Sequence, residues 1–195
     1  MTKLNVITGG ITMLSKRIHT TMWIALILII LLYVIPIPIN KTFDAIEIKL
    51  DDPSYIVPCK IKVYGKYYKN LFTDDFFNFN GHIIVSNYKL TNEKMRKVYF
   101  LKDGCPLEYY YDTGRYDSYG NKIYEEYILG HLYSKTWFRS MIIGVFRNNA
   151  LNKEVNGKVN SDWGGWSTID GYCIVTNATT REEAINILLK NKVIP

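Results

Sequence analysis

The sequence lacks the residue patterns that usually mark a metal site or a nucleophilic catalytic site. Neither His82 nor His131 has a second histidine or a carboxylate at the spacing of metal ligands, and no Gly-x-Ser-x-Gly motif is present. Because enzymes usually carry at least one such cluster, this absence favours binding over catalysis. We expect no metal and no cofactor, and the sequence identifies no catalytic residue.

Cysteine is also scarce. The three cysteines, Cys59, Cys105 and Cys173, are far apart in sequence and have no paired spacing. This pattern excludes a disulfide framework and a zinc module. Either all three are small buried hydrophobic side chains, or one pair forms a disulfide and leaves the third cysteine over. We favour the first reading, since a chain of this length can be stable without disulfides.

Basic residues exceed acidic ones only slightly once those that flank a hydrophobic segment are set aside. The chain has 24 basic and 18 acidic residues, a formal net charge of +6. Four basic residues, Lys3, Lys16, Arg17 and Lys41, flank a hydrophobic segment, so the part from Thr42 onward has 20 basic against 18 acidic residues. This count leaves no basic stripe to follow a phosphate backbone, and we therefore predict no nucleic-acid partner.

The hydrophobic segment is the strongest signal in the sequence. Residues 20–40 include no charged side chain, and residues 22–35 are apolar apart from Tyr33. About 20 helical residues span the ~30 Å core of a bilayer. A helix buried in a protein core usually keeps a polar face, and this segment has none. We therefore predict a transmembrane helix at residues 21–39 that contacts the lipid bilayer.

The residues around the segment predict its orientation. Lys16 and Arg17 precede it, and basic residues favour the cytoplasmic side. We expect a single-pass protein of the cell membrane with residues 1–20 in the cytoplasm and a domain at residues 43–195 outside it. The alternative is a cleaved signal peptide, but residues 35–42 offer no pair of small residues for cleavage.

The remainder of the chain has the period of β-strands. Apolar and polar residues alternate from Ile46 to Leu50 and from Cys59 to Val63, and the 16 tyrosines favour strands. Asn80-Gly81 is typical of a tight hairpin turn. We predict a mainly β (α+β) domain, an antiparallel meander that forms a curled sheet or a small sandwich or barrel.

One amphipathic helix is expected after the last predicted strand, residues 172–176. Thr179 and Glu182 fit the capping box that begins many helices. The apolar face consists of Ala184, Ile185, Leu188 and Leu189. We predict a C-terminal helix from Thr180 to Lys190 that packs against the sheet.

The densest unusual patch is a loop with two tryptophans and two glycines. Trp163 and Trp166 could stack on a sugar or another flat ligand, with Asp162 and Asp170 as hydrogen-bond partners. The alternative is that the Gly-Gly turn lets both rings close over the core, which is the commoner use of such loops. No other stretch offers a better candidate binding site.

Together these features predict a membrane-anchored, extracytoplasmic binding or interaction module. Its partner would be a protein, an envelope polymer or a small ligand. One alternative is a membrane-attached hydrolase acting on an envelope substrate, whose catalytic residues come together only in the folded chain. Another is an accessory subunit that docks on a membrane complex through an exposed sheet edge or through the membrane helix.

Overall fold

The described part of the chain contains nine β-strands and three α-helices. The computed structural model describes residues 18–30, 35–69, 77–100, 104–134, 138–151 and 165–195. In chain order the elements are α1 (residues 18–30), β1 (Ile37–Lys49), β2 (Asp52–Lys69), β3 (Phe77–Val85), β4 (Lys94–Met95), β5 (Val98–Tyr99), β6 (Cys105–Tyr116), β7 (Lys122–Ser134), β8 (Met141–Val145), α2 (Arg147–Leu151), β9 (Tyr172–Thr176) and α3 (Arg181–Lys190).

Helix α1 overlaps the first part of the segment for which we predicted a membrane helix, and its apolar side chains are exposed. Met22 and Trp23, for example, are each 64% exposed. Among the described residues, no helix combines the length and the apolar character needed to cross a membrane. Residues 31–34 of the predicted segment lie outside the described residues, and residues 37–39 belong to strand β1.

The sheet therefore begins earlier than we expected, at Ile37 and not near residue 43. Pro38 is tolerated inside β1 because the strand is paired on one side only at that point. Pro38 lies opposite Lys66 of β2, whereas β9 pairs only with Ala45–Lys49. A proline cannot donate to a ladder, so it is found where one edge of a strand is unpaired.

The strands form one curled antiparallel sheet. Their order is β4-β6-β7-β8-β9-β1-β2-β3-β5, and each neighbouring pair is antiparallel. The two edge strands, β4 and β5, are separated in sequence only by Arg96 and Lys97, so the sheet must curl until its edges lie close together. The prediction of a mainly β, antiparallel curled sheet with few helices is confirmed.

The curl encloses the larger of two hydrophobic clusters. Along β2 the side chains of Cys59, Ile61 and Val63 are buried in this inner cluster, while Lys60 and Lys62 alternate with them and are exposed. The largest aromatic side chains that the inner cluster buries completely are Tyr67, Phe79, Tyr88, Tyr109 and Phe138. Full burial of a large apolar side chain contributes about 1.5 to 3 kcal/mol, so each of these side chains stabilises the curled sheet.

A second, outer cluster lies on the opposite face of the sheet and is covered by α3. Ile48, Ile142 and Val175 face Ala184 and Leu188 of the helix in this cluster. Because both faces are covered here, every residue of β8 and β9 is buried. This explains why these two strands read as continuous apolar runs and not as alternating ones.

The C-terminal helix forms as predicted, but its cap lies one residue later. The Thr180 hydroxyl accepts a hydrogen bond from the Glu183 backbone N–H, and the Glu183 carboxylate accepts one from the Thr180 backbone N–H. The predicted capping pair, Thr179 and Glu182, is therefore wrong by one position. The shift is physically reasonable because Thr179 and Thr180 both carry a hydroxyl, and Glu182 and Glu183 both carry a carboxylate.

The predicted hairpin turn at Asn80-Gly81 is also wrong, because both residues lie inside β3. Gly81 pairs with Gly65 of β2. A Cβ atom on either glycine would collide with backbone atoms of the opposite strand, and the ring of Phe79 packs against both positions. The glycines are needed for this close approach of two strands and not for a turn.

Candidate functional site

Trp166 packs on the outer cluster, in a space that two glycines leave open. Its indole fills the space beside Gly144 and Gly171, since a Cβ on either glycine would meet indole atoms. The indole Nε1 donates a hydrogen bond of 3.0 Å to the Tyr172 carbonyl, and the ring lies 6.0 Å from that of Tyr133. Trp166 thus closes part of the outer cluster, which is the packing alternative for this loop.

Of the other residues of the predicted tryptophan site, Asp170 is the one that lies within the described residues. Asp170 is partly exposed, lies 3.9 Å from Arg147, and has its pKa lowered by a hydrogen bond from Ser167 and by the nearby Arg147 charge. The Ser167 hydroxyl also accepts hydrogen bonds from the backbone of the turn that follows it. Asp162 and Trp163 lie outside the described residues.

Replacing Trp166 by alanine is expected to destabilise the protein by about 2 kcal/mol, less than the range of about 3 to 5 kcal/mol for a fully buried tryptophan, because the ring is only half-buried. The measurement is chemical denaturation of the full-length chain. Ile169→Ala is the control, since Ile169 lies on the same turn and is 80% exposed. It should change stability by no more than about 0.5 kcal/mol. If the two variants were equally stable, Trp166 would contribute little to packing and would again be a candidate for contact with a ligand.

A buried carboxylate lies inside the curl. Glu47 is completely buried, and its Oε1 accepts hydrogen bonds of 3.0 Å from the hydroxyls of Tyr55 and Tyr88. Burial and the neighbouring carboxylate together raise the pKa of Tyr88, and they raise that of Tyr127 in the same way. Tyr88 therefore stays protonated and, like Tyr55, donates to Glu47, so this polar group is a satisfied part of the interior.

The cysteines are free and buried, as the first reading predicted. Cys59, Cys105 and Cys173 form no disulfide. Burial raises the pKa of the Cys173 thiol to about 12, which makes it a poor nucleophile. Within the described residues, no group of three or more histidine, cysteine, aspartate or glutamate side chains is placed to hold a metal ion.

The outer face of β2, β3 and β5 carries lysines and aromatic rings that no helix among the described elements covers. Strand pairing puts alternate residues of the three strands in rows on this face, so that Tyr64 lies opposite His82 and Asn78 lies between Tyr68 and Tyr99. We call it the lysine–tyrosine face. It consists of Lys60, Lys62, Tyr64, Lys66, Tyr68, Asn78, His82, Lys97 and Tyr99.

Several side chains of the lysine–tyrosine face are held in place by ring contacts. The rings of Tyr64 and His82 are stacked with centroids 4.9 Å apart, and the Lys62 ammonium lies 5.4 Å from the Tyr64 centroid. The Lys97 ammonium lies 5.8 Å from the Tyr68 ring and 5.2 Å from the Tyr99 ring. Cation–π contacts of this kind position the ammonium groups without neutralising their charge.

The carboxylates on the outer face of β6 are paired with basic groups. Arg96 lies 2.6 Å from Glu108, and Lys122 lies 2.6 Å from Asp112. Among the described residues, Lys62, Lys66 and Lys97 of the lysine–tyrosine face form no ion pair, so their positive charge is not neutralised. The charge count from the sequence missed these lysines, because a sum over the domain does not show where each charge lies. The signal was present in β2, where lysine and tyrosine occupy alternate positions from Lys60 onward.

An open groove adjoins the lysine–tyrosine face at its Lys60 end. It has a volume of about 480 Å³ and is lined mainly by apolar atoms. Residues that line it include Asp44, Ile46, Pro58, Lys60, Ala178 and Thr179. Lys60 and Asp44 form an exposed ion pair of 3.8 Å at its rim. The groove gives the otherwise open face a concave end.

No protein-family model, curated protein or solved structure matches this chain.

Proposed function

We propose that this chain is a membrane-anchored binding module that is held outside the cytoplasm and binds an anionic envelope polymer through the lysine–tyrosine face. The single observation that carries the proposal is the concentration of exposed lysines and ordered tyrosines on one side of the sheet. Exposed ammonium groups attract a polyanion, and aromatic rings provide flat surfaces on which sugar rings can stack. The nine residues from Lys60 to Tyr68 extend over about 27 Å, which is long enough for several units of a chain-like ligand.

The membrane part of the proposal rests on residues 20–40, which have no charged side chain. The exposed apolar side chains of α1 support it, because a helix whose apolar residues are uncovered by the domain needs another apolar environment. Lys16 and Arg17 place the preceding residues in the cytoplasm. The lysine–tyrosine face then lies where envelope polymers are accessible.

The binding test compares two charge-matched double variants of the full-length chain in a neutral detergent. Polygalacturonate, a glycan with one carboxylate on each sugar, is the immobilised probe. Lys62→Glu/Lys66→Glu should weaken binding at least tenfold, because two attractive charges become repulsive. Lys190→Glu/Lys192→Glu, which reverses two exposed lysines at the end of α3, should bind like the unmodified chain, since charges beyond about 8 Å are largely screened at physiological salt. Equal loss in both variants would contradict a localised site.

The anchor is tested independently of binding. A reporter that is active only outside the cytoplasm, fused after Pro195, should be active, and a reporter restricted to the cytoplasm should be inactive. Membrane fractions should retain the protein after a carbonate wash. The reverse reporter pattern would remove the extracytoplasmic part of the proposal and leave the binding surface untouched.

A further inference from the structure

The hairpin formed by β6 and β7 extends past the strands on both of its sides. Among the described strands, β4 pairs with β6 only at Tyr109 and Tyr110, and β8 pairs with β7 only at Gly130–Ser134. Residues 111–126 therefore form a two-stranded arm, and neither of its outer edges is paired with a described strand. Two strands alone are only marginally stable in water, so a further strand would stabilise the arm.

On the β7 side of the arm, two hydrogen bonds show which way the backbone groups point. The Asn121 carbonyl accepts one of 2.9 Å from the Asp117 N–H, and the Ile123 carbonyl accepts one of 2.7 Å from the Thr113 hydroxyl. Both carbonyls thus point towards β6. Successive residues of an antiparallel strand direct their backbone groups to opposite sides, so the intervening residues point away from β6. The free edge of the arm consists of the backbone N–H and C=O groups of Lys122, Tyr124 and Glu126.

The free edge ends at a defined point. The next carbonyl in the series belongs to Ile128, and it accepts a hydrogen bond of 2.6 Å from the Asn149 side chain. A strand that pairs with the free edge therefore follows residues 122–126, which extend over about 14 Å. Exposed strand edges of this kind are templates for a strand of another chain. The side chains along the edge determine which strand fits.

The free edge is complementary to itself. When a second copy runs antiparallel with its Tyr124 opposite Tyr124 of the first, Lys122 of each copy lies opposite Glu126 of the other. All three residues of the free edge then belong to hydrogen-bonded pairs, each of which exchanges two backbone hydrogen bonds. Aromatic pairs and pairs of opposite charge stabilise neighbouring strands. A second copy therefore supplies both the backbone groups and the side chains that this edge requires.

The charges also exclude the neighbouring registers. A shift of one residue would turn the backbone groups of one strand away from the other. A shift of two residues in one direction places Glu125 opposite Glu125 of the second copy, which is unfavourable. A shift of two residues in the other direction leaves Lys122 opposite Tyr124. The pairing with Tyr124 at its centre is the register in which opposite charges meet.

Contacts within the arm leave these side chains accessible. Lys122 lies 2.6 Å from Asp112, and Glu126 lies 3.8 Å from Arg96, yet the Lys122 and Glu126 side chains keep 51% and 35% of their surface exposed. In the pair of copies each of these charges gains a second partner of opposite sign. The Tyr124 ring, 58% exposed, gains the ring of the second copy.

We propose that the partner of the arm is a second copy of this chain, joined β7 to β7 about a two-fold axis at Tyr124. Such a contact uses the same surface on both copies, as in most symmetric dimers. The inference does not depend on the proposed function, because the lysine–tyrosine face belongs to β2, β3 and β5.

The first test is an exchange of charges in the full-length chain in a neutral detergent. Detergent is used because antiparallel pairing turns the two copies in opposite directions, which a shared membrane would restrict. Sedimentation velocity over a range of concentrations should show a dimer of the unmodified chain. Lys122→Glu and Glu126→Lys should each weaken dimerisation at least tenfold, because each reversal acts twice in a symmetric pair.

A mixture of these two variants should dimerise like the unmodified chain, because every repulsive pair between unlike copies becomes attractive. A loss of folding could not be repaired by mixing. Lys190→Glu is the matched control, since it reverses an exposed lysine on α3 and should leave dimerisation unchanged.

The second test is disulfide formation across the two-fold axis. In a hydrogen-bonded pair the Cα atoms are about 5.5 Å apart, within the range of about 4.4 to 6.8 Å that a disulfide spans. Tyr124→Cys should therefore be oxidised to a covalent dimer. Tyr116→Cys is the control, because Tyr116 is similarly exposed, at 62%, but lies on the other strand of the arm. The three native cysteines are buried and should not react.

Three outcomes would overturn the inference. The first is a monomer at every concentration. The second is a dimer that neither charge reversal weakens, which would mean that another surface, such as the predicted membrane helix, joins the copies. The third is equal oxidation of Tyr124→Cys and Tyr116→Cys, which would indicate random collision. Binding of polygalacturonate is measured separately, so none of these outcomes bears on the proposed function.

Discussion

Replacing Gly130 by alanine is expected to destabilise the protein by about 3 kcal/mol or more, because two unfavourable terms add. Gly130 has a positive φ of 157°, a value that side chains rarely adopt. It also lies beside the irregularity where β6 and β7 shift register, and a Cβ at this position would collide with the carbonyl oxygen of Gly144. Neither group can move without breaking the pairing of β7 with β8.

Gly120→Ala separates the two terms. Gly120 also has a positive φ, of 82°, but nothing lies within 4 Å of the position that its Cβ would occupy. Its substitution should therefore show only the backbone term, about 1 kcal/mol. Urea denaturation of the two variants measures both values. If Gly130→Ala were as stable as Gly120→Ala, the close approach of β7 and β8 would be wrong.

Replacing Glu47 by alanine should cost about 3 to 5 kcal/mol of stability. The change leaves a cavity inside the curl and deprives the Tyr55 and Tyr88 hydroxyls of the acceptor that they share. Loss of this amount is a large part of the 5 to 15 kcal/mol by which typical domains are stable.

Glu47→Gln is the matched variant, because its side-chain oxygen can replace the carboxylate oxygen as an acceptor. We expect a loss of about 1 to 2 kcal/mol, since the hydrogen bonds remain but are no longer charge-assisted. Guanidinium denaturation measures the difference. A stability of Glu47→Ala close to that of Glu47→Gln would show that the shared acceptor contributes little.

The elements that could be predicted from the sequence are those with a continuous local signal. Strand β9 has the predicted bounds, Tyr172–Thr176, because five buried residues in succession are bounded by turn residues. Helix α3, Arg181–Lys190, was predicted from its cap and its apolar spacing. Both signals depend only on neighbouring residues, so they can be recognised without knowledge of the fold.

The failures arise where distant parts of the chain determine the structure. Asn80-Gly81 has the composition of a hairpin turn, yet it lies in the middle of β3, where Gly81 packs closely against Gly65 of the neighbouring strand. Residues 37–39 were predicted to belong to the membrane helix but lie in β1, where the position of Pro38 depends on how far β9 extends. Neither of these pairings can be predicted from the neighbouring residues alone.

The candidate site shows the same limit. Trp166 was found from its unusual composition, but Gly144, whose missing side chain makes room for the indole, is distant in sequence. The alternation of lysine and tyrosine along β2 was visible, whereas the position of Asn78 between Tyr68 and Tyr99 follows from the register of three strands. Contacts between strands can be recognised only when that register is known.

The most direct test of the central claim is the salt dependence of polygalacturonate binding by the full-length chain. If the lysine–tyrosine face binds the polymer through its charges, the logarithm of the binding constant should fall linearly with the logarithm of the salt concentration. The slope should decrease by about one for each lysine neutralised in Lys62→Gln/Lys66→Gln, and it should stay the same in Lys190→Gln/Lys192→Gln. A slope that both double variants share with the unmodified chain would contradict the account.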